Sequence, residues 1–207
     1  MSLGTWRSPL ARALHLNRSL VYARYFQLAT IASDGYPANR TVVFRGFLAE
    51  TNQIKIITDS RSQKAHQVKD HPQGEICWYF PKSREQFRFR GNLTLVTGDD
   101  LEFQPARQEM WQDISLAARS QFFWATPGEL RGIVGQGIEQ GTIELIELEK
   151  EDTILQSNPE VQEPVANFCL LLFDPLQVDH LELRGNPQNR HQHRWDGTRW
   201  TVTAINP

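Results

Sequence analysis

Hydrophobic positions along this chain recur with a period of two in many short runs and with a helical period in a few, and Gly, Pro and Asp separate the runs. Residues 8–16 put Leu10, Ala13 and Leu14 on one helical face behind Ser8 and Pro9, which predicts a short amphipathic helix capped by Ser8. Residues 25–33 and 39–47 are β-branched and aromatic runs flanking Asp34-Gly35-Tyr36-Pro37, a hairpin pattern. Residues 53–58 alternate as a third strand and run into a helix over 62–71, closed by Asp70-His71-Pro72. Two more strands are expected at 75–80 and 85–96. In the second, Gln86, Arg88 and Arg90 alternate with Phe87 and Phe89, so one face is polar and the other apolar. Residues 105–123 carry Met110, Trp111, Ile114, Leu116, Ala118, Phe122 and Phe123 at helical spacings, predicting two helices that break near Ser115. The stretch 124–167 mixes loop and element signals, with Thr126-Pro127-Gly128, several glycines and an acidic run over 144–152, and supports no assignment. Four closing strands are expected at 168–173, 177–183, 189–195 and 199–205, with turns at Asp174-Pro175, Gly185-Asn186-Pro187 and Asp196-Gly197.

Many short strands with few helices predict a mainly β (α+β) fold, an antiparallel barrel-like sheet with peripheral helices, as one domain over residues 1–207. There is no internal repeat. Lys+Arg 22 against Asp+Glu 24 leaves a net charge of −2, so bulk electrostatics attract neither nucleic acid nor an anionic membrane, and any basic site must be local. The two cysteines, Cys77 and Cys169, sit in apolar runs that favour buried, reduced thiols. With no long apolar span and no signal-peptide layout, this points to a cytoplasmic protein. The six Trp and eleven Phe are read chiefly as packing residues.

The chemistry concentrates in Arg40-Thr41-Val42-Val43-Phe44-Arg45 and in Thr58-Asp59-Ser60-Arg61-Ser62-Gln63-Lys64. Two strand ends there bring cations together with hydroxyls, and the second leads into a helix N-terminus, whose unpaired N–H groups and dipole favour an anion. Guanidinium, ammonium and hydroxyl donors suit a phosphate, at about 1.5–3 kcal/mol for each charge-assisted hydrogen bond. Other motifs read as structure. Arg88 and Arg90 beside Phe87 and Phe89 imitate a single-strand nucleic-acid platform but fit a solvated sheet face better. His191 and His193 share a strand face that could seed a metal site, yet no third ligand is apparent, and no metal is expected. Gly135-Gln136-Gly137-Ile138-Glu139-Gln140-Gly141 has the wrong spacing for a dinucleotide loop.

From Leu28 to Gly91, and again from Val178 to Pro207, the sequence resembles the pyridoxamine 5′-phosphate oxidase-like flavoproteins. That family has an Arg-x-Val-Leu-Leu-Lys strand, a Tyr-Thr-Asn strand end, a Ser-Arg-Lys helix start and an Arg-Gln-Val strand ending at Gly. The matching stretches here are Arg40 to Arg45, Ile57-Thr58-Asp59, Ser62-Gln63-Lys64 and Glu85-Gln86-Phe87-Arg88-Phe89-Arg90-Gly91. The resemblance implies an FMN-binding split β-barrel and a homodimer with two equivalent sites. Arg40, Ser62 and Lys64 would hold the FMN phosphate, with Arg61 at the same helix start. The main chain of Thr41, Val42, Val43, Phe44 and Arg45, and of Ile57 and Thr58, would line the ribityl chain and ring. Gln86 would reach the flavin from the second subunit, and Arg194 would also touch it. Arg45, Arg190 and Ser120, or its neighbour Arg119, would meet a small anionic substrate.

Three positions depart from the family pattern: Gln192 stands for a substrate-reading His, Leu181 for a flavin-stacking Trp, and Arg45 for Lys. The expectation is therefore an FMN-dependent oxidoreductase that moves a hydride between a small anionic substrate and flavin, with weak turnover of pyridoxamine 5′-phosphate itself. The alternatives are a non-catalytic flavin- or ligand-binding module on the same fold, and related chemistry on another cofactor or a tetrapyrrole.

Overall fold

The computed structural model describes residues 2–130 and 160–207. The glycine-rich motif at 135–141 and most of the unassigned stretch lie outside them. Helix α1 (Arg7–Leu16) begins one residue earlier than expected. Its N-cap is Trp6, without a side-chain cap, so Ser8 sits inside the helix rather than capping it.

Among the described residues the sheet has eight strands: β1 (Tyr25–Ile31), β2 (Pro37–Val43), β3 (Ile54–Asp59), β4 (Gln73–Phe80), β5 (Glu85–Val96), β6 (Phe168–Glu182), β7 (Asn189–Trp195) and β8 (Trp200–Ile205). Their order is β2-β1-β4-β5-β6-β7-β8, with β3 on β6, and every pairing is antiparallel. The predicted hairpin is β1–β2, but β2 ends at Val43, because Gly46 (φ +96°) turns the chain away before Phe47. From there Arg45 N–H donates to Lys55 O (3.0 Å) and Lys55 N–H to Gly46 O (2.8 Å). The sheet thus curls until β3 meets the chain leaving β2, joined by a few hydrogen bonds and one bridge rather than by a full ladder. The barrel is split, not closed.

One expectation fails instructively. Residues 168–173 and 177–183 form a single strand, and Asp174-Pro175 is not a turn. The first half of β6 pairs with β3 as far as Phe173 and the second half with β7 from Gln177, so proline's missing N–H falls in the gap between partners. On the other edge β5 runs alongside throughout, with a register shift at Arg90/Gly91. A Cβ at Gly91 would lie 2.1 Å from Asp174 O, so only glycine lets the two backbones pass there.

The core has two parts. Inside the curl, Trp6 and Leu10 from the α1 end pack on Phe26, Leu28, Ile76, Trp78, Phe87, Phe89 and Val178. Outside it, α3 (Gln104–Asp113) and α4 (Leu116–Ser120) cover the first half of β6, where Trp111, Phe122 and Phe168 meet edge to face. The predicted break falls at Ser115, whose side chain caps α4 by accepting from Ala118 N–H. Cys169 is buried and Cys77 half-buried, both as free thiols.

Gly91→Ala should destabilise the fold by about 1–3 kcal/mol through overpacking at the bulge. Gly98→Ala, with nothing within 4 Å of the added methyl, should shift it far less. Urea denaturation of the two variants beside wild type makes the comparison, and equal midpoints would mean that the bulge tolerates a side chain.

Candidate functional site

Strand β3 delivers Thr58 and Asp59 to a turn, after which α2 (Gln63–Asp70) starts with Ser62 as N-cap. Lys64, in the first turn of α2, donates from Nζ to Thr58 Oγ1 (2.7 Å) and to Ser62 Oγ (3.3 Å). Arg40 approaches from β2. Its guanidinium donates to Leu28 O (3.3 Å), to Thr30 Oγ1 and to Gln67 Oε1 (2.9 Å), the last one helical turn beyond Lys64. Every one of these acceptors is neutral. Among the described residues neither Arg40 nor Lys64 has a carboxylate within ion-pair distance. Burial, and then the charge of Arg40, hold the Lys64 ammonium below its ordinary pKa, and burial lowers Arg40 as well. Two mutually repelling, half-desolvated cations beside two hydroxyls and a helix N-terminus form a receptor for an anion of more than one charge.

Arg61 sits at the same helix start but is engaged otherwise. Its guanidinium grips both oxygens of Asp59, at 3.0 and 2.7 Å, and donates to Trp124 O (3.1 Å). Burial pushes the Asp59 carboxyl up, but the hydrogen bonds from Arg61 and Asn167 outweigh it and hold it below the usual range. Asp59 is thereby occupied, and among the described residues Arg40 and Lys64 have no carboxylate partner.

Of the main-chain donors along 41–45, Phe44 N–H already bonds Arg24 O (2.7 Å) and Arg45 N–H bonds Lys55 O. Thr41, Val42 and Val43 lie in the β2 ladder, and Ile57 and Thr58 in the β3–β6 ladder. The Arg45 side chain is a third cation without an ion-pair partner among the described residues. Its Nε is buried without a partner, and burial and then Arg24 lower its pKa.

Gln86, Arg190 and Arg194 emerge on the other face of the sheet. Gln86, Leu181 and Arg190 stand directly opposite one another on β5, β6 and β7, and Arg90, Gln177 and Arg194 form a parallel row. Between these rows lie Arg88, Asp179 and Gln192. Asp179 accepts from Arg190 Nε (3.1 Å) and Nη2 (2.8 Å) and from Arg88 Nη2 (2.9 Å). Burial raises its carboxyl, and the two arginines more than reverse that. A cleft of about 630 Å³ has in its walls Thr30, which fixes Arg40, together with Arg90, Gln177 and Arg194. Arg40 itself shares the inward face with Leu28, Ile76, Phe89 and Val178, its register neighbours across the sheet.

Ser120 donates back to Ala117 O (2.9 Å), and the buried Arg119 binds the carbonyls of Trp111 and Gln112. Sequence reasoning gave no role to Thr30, Gln67, Asp59 or Asp179. Gln67 carried a signal, being three residues from Lys64 on one helix face. Asp179 carried none, since its partners depend on cross-strand register.

A split antiparallel barrel that sets two cations without carboxylate partners among the described residues beside the start of α2 has the chemistry to accept an anion such as a phosphate. The family model described as "Pyridoxamine 5'-phosphate oxidase, FMN-binding domain" matches residues 3–97. A pyridoxine/pyridoxamine 5′-phosphate oxidase 2 from Arabidopsis thaliana is 34% identical over 208 residues, covering 98% of this chain and 96% of its own length. The chain belongs to the pyridoxamine 5′-phosphate oxidase family. A crystal structure of a pyridoxamine 5′-phosphate oxidase-related, FMN binding protein from Nostoc punctiforme is 54% identical, with a TM-score of 0.87 and full coverage of both chains. PhzG from Burkholderia lata, at 15% identity and a TM-score of 0.72 over 97% of this chain and 91% of its own, shares the fold.

The depressed Lys64 pKa means that folding places a charged ammonium where it is disfavoured, a penalty that is full below the lowered folded-state pKa, fades as pH rises through it, and is gone above the unfolded lysine pKa of roughly 10.4. In anion-free buffer near neutral pH, Lys64→Met should raise the urea midpoint, and the gain should shrink at alkaline pH. Inorganic phosphate should stabilise wild type and not the variant. A variant less stable than wild type near neutrality would contradict the uncompensated-charge account.

Proposed function

We propose that this protein is an FMN-dependent oxidoreductase that acts as a homodimer in the cytoplasm on a small anionic substrate. The observation that carries the reading is the Arg40–Lys64 pair: two partly buried cations without a carboxylate, set beside Ser62 and Thr58, in a chain 54% identical to an FMN binding protein. When bound, FMN supplies two-electron chemistry. The chain's own residues position it. Arg40, Ser62 and Lys64 hold the phosphate, and Arg61 stays tied to Asp59 at the rim. Gln86 and Arg194 address the ring. Because Arg40 points to the inward face and Gln86 to the outward one, a molecule held by both draws on two chains, which supports the dimer.

Substrate recognition falls to Arg45, Arg190 and the neighbourhood of Ser120. Arg190 is not a free cation, since Asp179 holds it through two hydrogen bonds and also engages Arg88, so an anion there must share the guanidinium N–H groups or displace the carboxylate. Together with Gln192 and Leu181 this favours a substrate other than pyridoxamine 5′-phosphate. A second reading, a flavin-binding module without turnover, rests on the same departures.

Purified protein should be yellow with bound FMN. Arg40→Ala and Lys64→Ala should each weaken FMN binding by roughly ten- to a hundredfold, corresponding to about 1.5–3 kcal/mol per charge-assisted contact. Colourless protein that takes up no FMN on titration would end the proposal. Oxygen-coupled assays should find weak turnover of pyridoxamine 5′-phosphate, and Gln192→His should increase it. Robust wild-type turnover would overturn the substrate reading alone, and inertness of the photoreduced protein toward a panel of small acceptors would favour the module.

A further inference from the structure

On the inward face of the sheet, beneath α1 and across the strands from Gln86, three ligating side chains converge. Glu85, His180 and Glu182 each present one ligand atom, all within 4.8 Å of one another. Strand register brings this about: Glu85 and Glu182 are direct cross-strand partners, and His180 shares their face two residues away. Arg12 reaches in from α1, and its Nη2 stands 3.0 Å from Glu85 Oε2 and 3.0 Å from Glu182 Oε1. A cationic nitrogen equidistant from two carboxylate oxygens marks the point of lowest potential for a cation. Glu85 Oε2 also lies 2.8 Å from His180 Nε2, a hydrogen bond that an entering ion would replace by opening the pair to the roughly 3.4 Å between ligands of a tetrahedral metal.

A second observation comes from the adjoining cavity of about 350 Å³, lined by Arg12, His180, Glu182, His191 and His193. His193 is 4% exposed, its Nδ1 lies 2.8 Å from Thr5 Oγ1, and its buried Nε2 has no partner. Such an orphan is destabilising unless something in the cavity meets it. Burial, and then His180 and His191, push His193 down to about 4, so the ring is neutral near neutral pH. In the tautomer that donates Nδ1–H to Thr5, Nε2 keeps a lone pair. Mixed imidazole and carboxylate donors suit a first-row divalent ion.

We propose that this cavity binds a divalent transition metal ion such as Zn2+, with Glu85, His180 and Glu182 as its protein ligands. Arg12, 55% exposed at its side chain, is the displaceable guanidinium that holds the position when no ion is there. His193 Nε2 accepts a hydrogen bond from a metal-bound water. The site is independent of FMN, being built on the face opposite Gln86 and away from Arg40 and Lys64.

Isothermal titration of the purified protein with Zn2+, and with Mn2+ for comparison, tests this. Wild type should bind one Zn2+ per chain. Arg12→Ala, which removes the competing charge, should bind at least tenfold more tightly, and Glu182→Gln, a substitution at the partly exposed rim, at least tenfold more weakly. FMN content should stay unchanged in both, which separates this outcome from the fate of the flavin reading. No saturable uptake by wild type or Arg12→Ala, or affinities that neither substitution alters, would overturn the proposal and leave the cluster as a structural ion-pair network.

Discussion

The pairing of β5 with β6 past the bulge at Gly91 is the constraint on which the rest of the molecule depends. It lets one 15-residue strand serve two neighbours in succession, β3 with its first half and β7 with its second. The first half supports the strand that carries Thr58 into the phosphate receptor. The second carries Asp179 and Leu181 between Gln86 and Arg190. Both halves of the candidate site are thus referenced to a single rigid ladder, and the point where β6 changes partners is where proline does no harm and a side chain on β5 would.

Charge distribution follows from that frame. Several acids of the sheet are committed to arginines: Asp59 to Arg61, Asp179 to Arg88 and Arg190, and Glu85 and Glu182 to Arg12. Arg40 and Lys64 are held instead by hydroxyls, a carbonyl and an amide. Neutral acceptors fix the geometry of these groups without cancelling their charge. Repulsion is the cost of readiness for an anion, in line with the general conflict between stability and binding-site architecture.

Much of this was legible in the sequence, and for local reasons. The β1–β2 hairpin, the bounds of β5, the strand-to-helix step at Ser62 and the break at Ser115 all follow from residue periodicity and turn chemistry, which act within a few positions. Lys64 was readable because it lies at the start of such an element, and Arg40 because it stands within a short strand. What escaped depended on pairing across long sequence separations. Asp174-Pro175 carries a turn's local signature, and only the exchange of partners along β6 shows that it lies within a strand. The grip of Asp179 on Arg190 and the encounter of His180 with Glu85 arise from register, which no single run of residues encodes.

Alternation along β5 has a consequence for how such a protein can diverge. Phe87 and Phe89 point into the core, while Gln86, Arg88 and Arg90, interleaved with them, point the other way. Neighbouring codons therefore fall under separate selection, one set for folding and the other for molecular recognition. A lineage can exchange the outward set and acquire a new specificity while its scaffold is inherited intact.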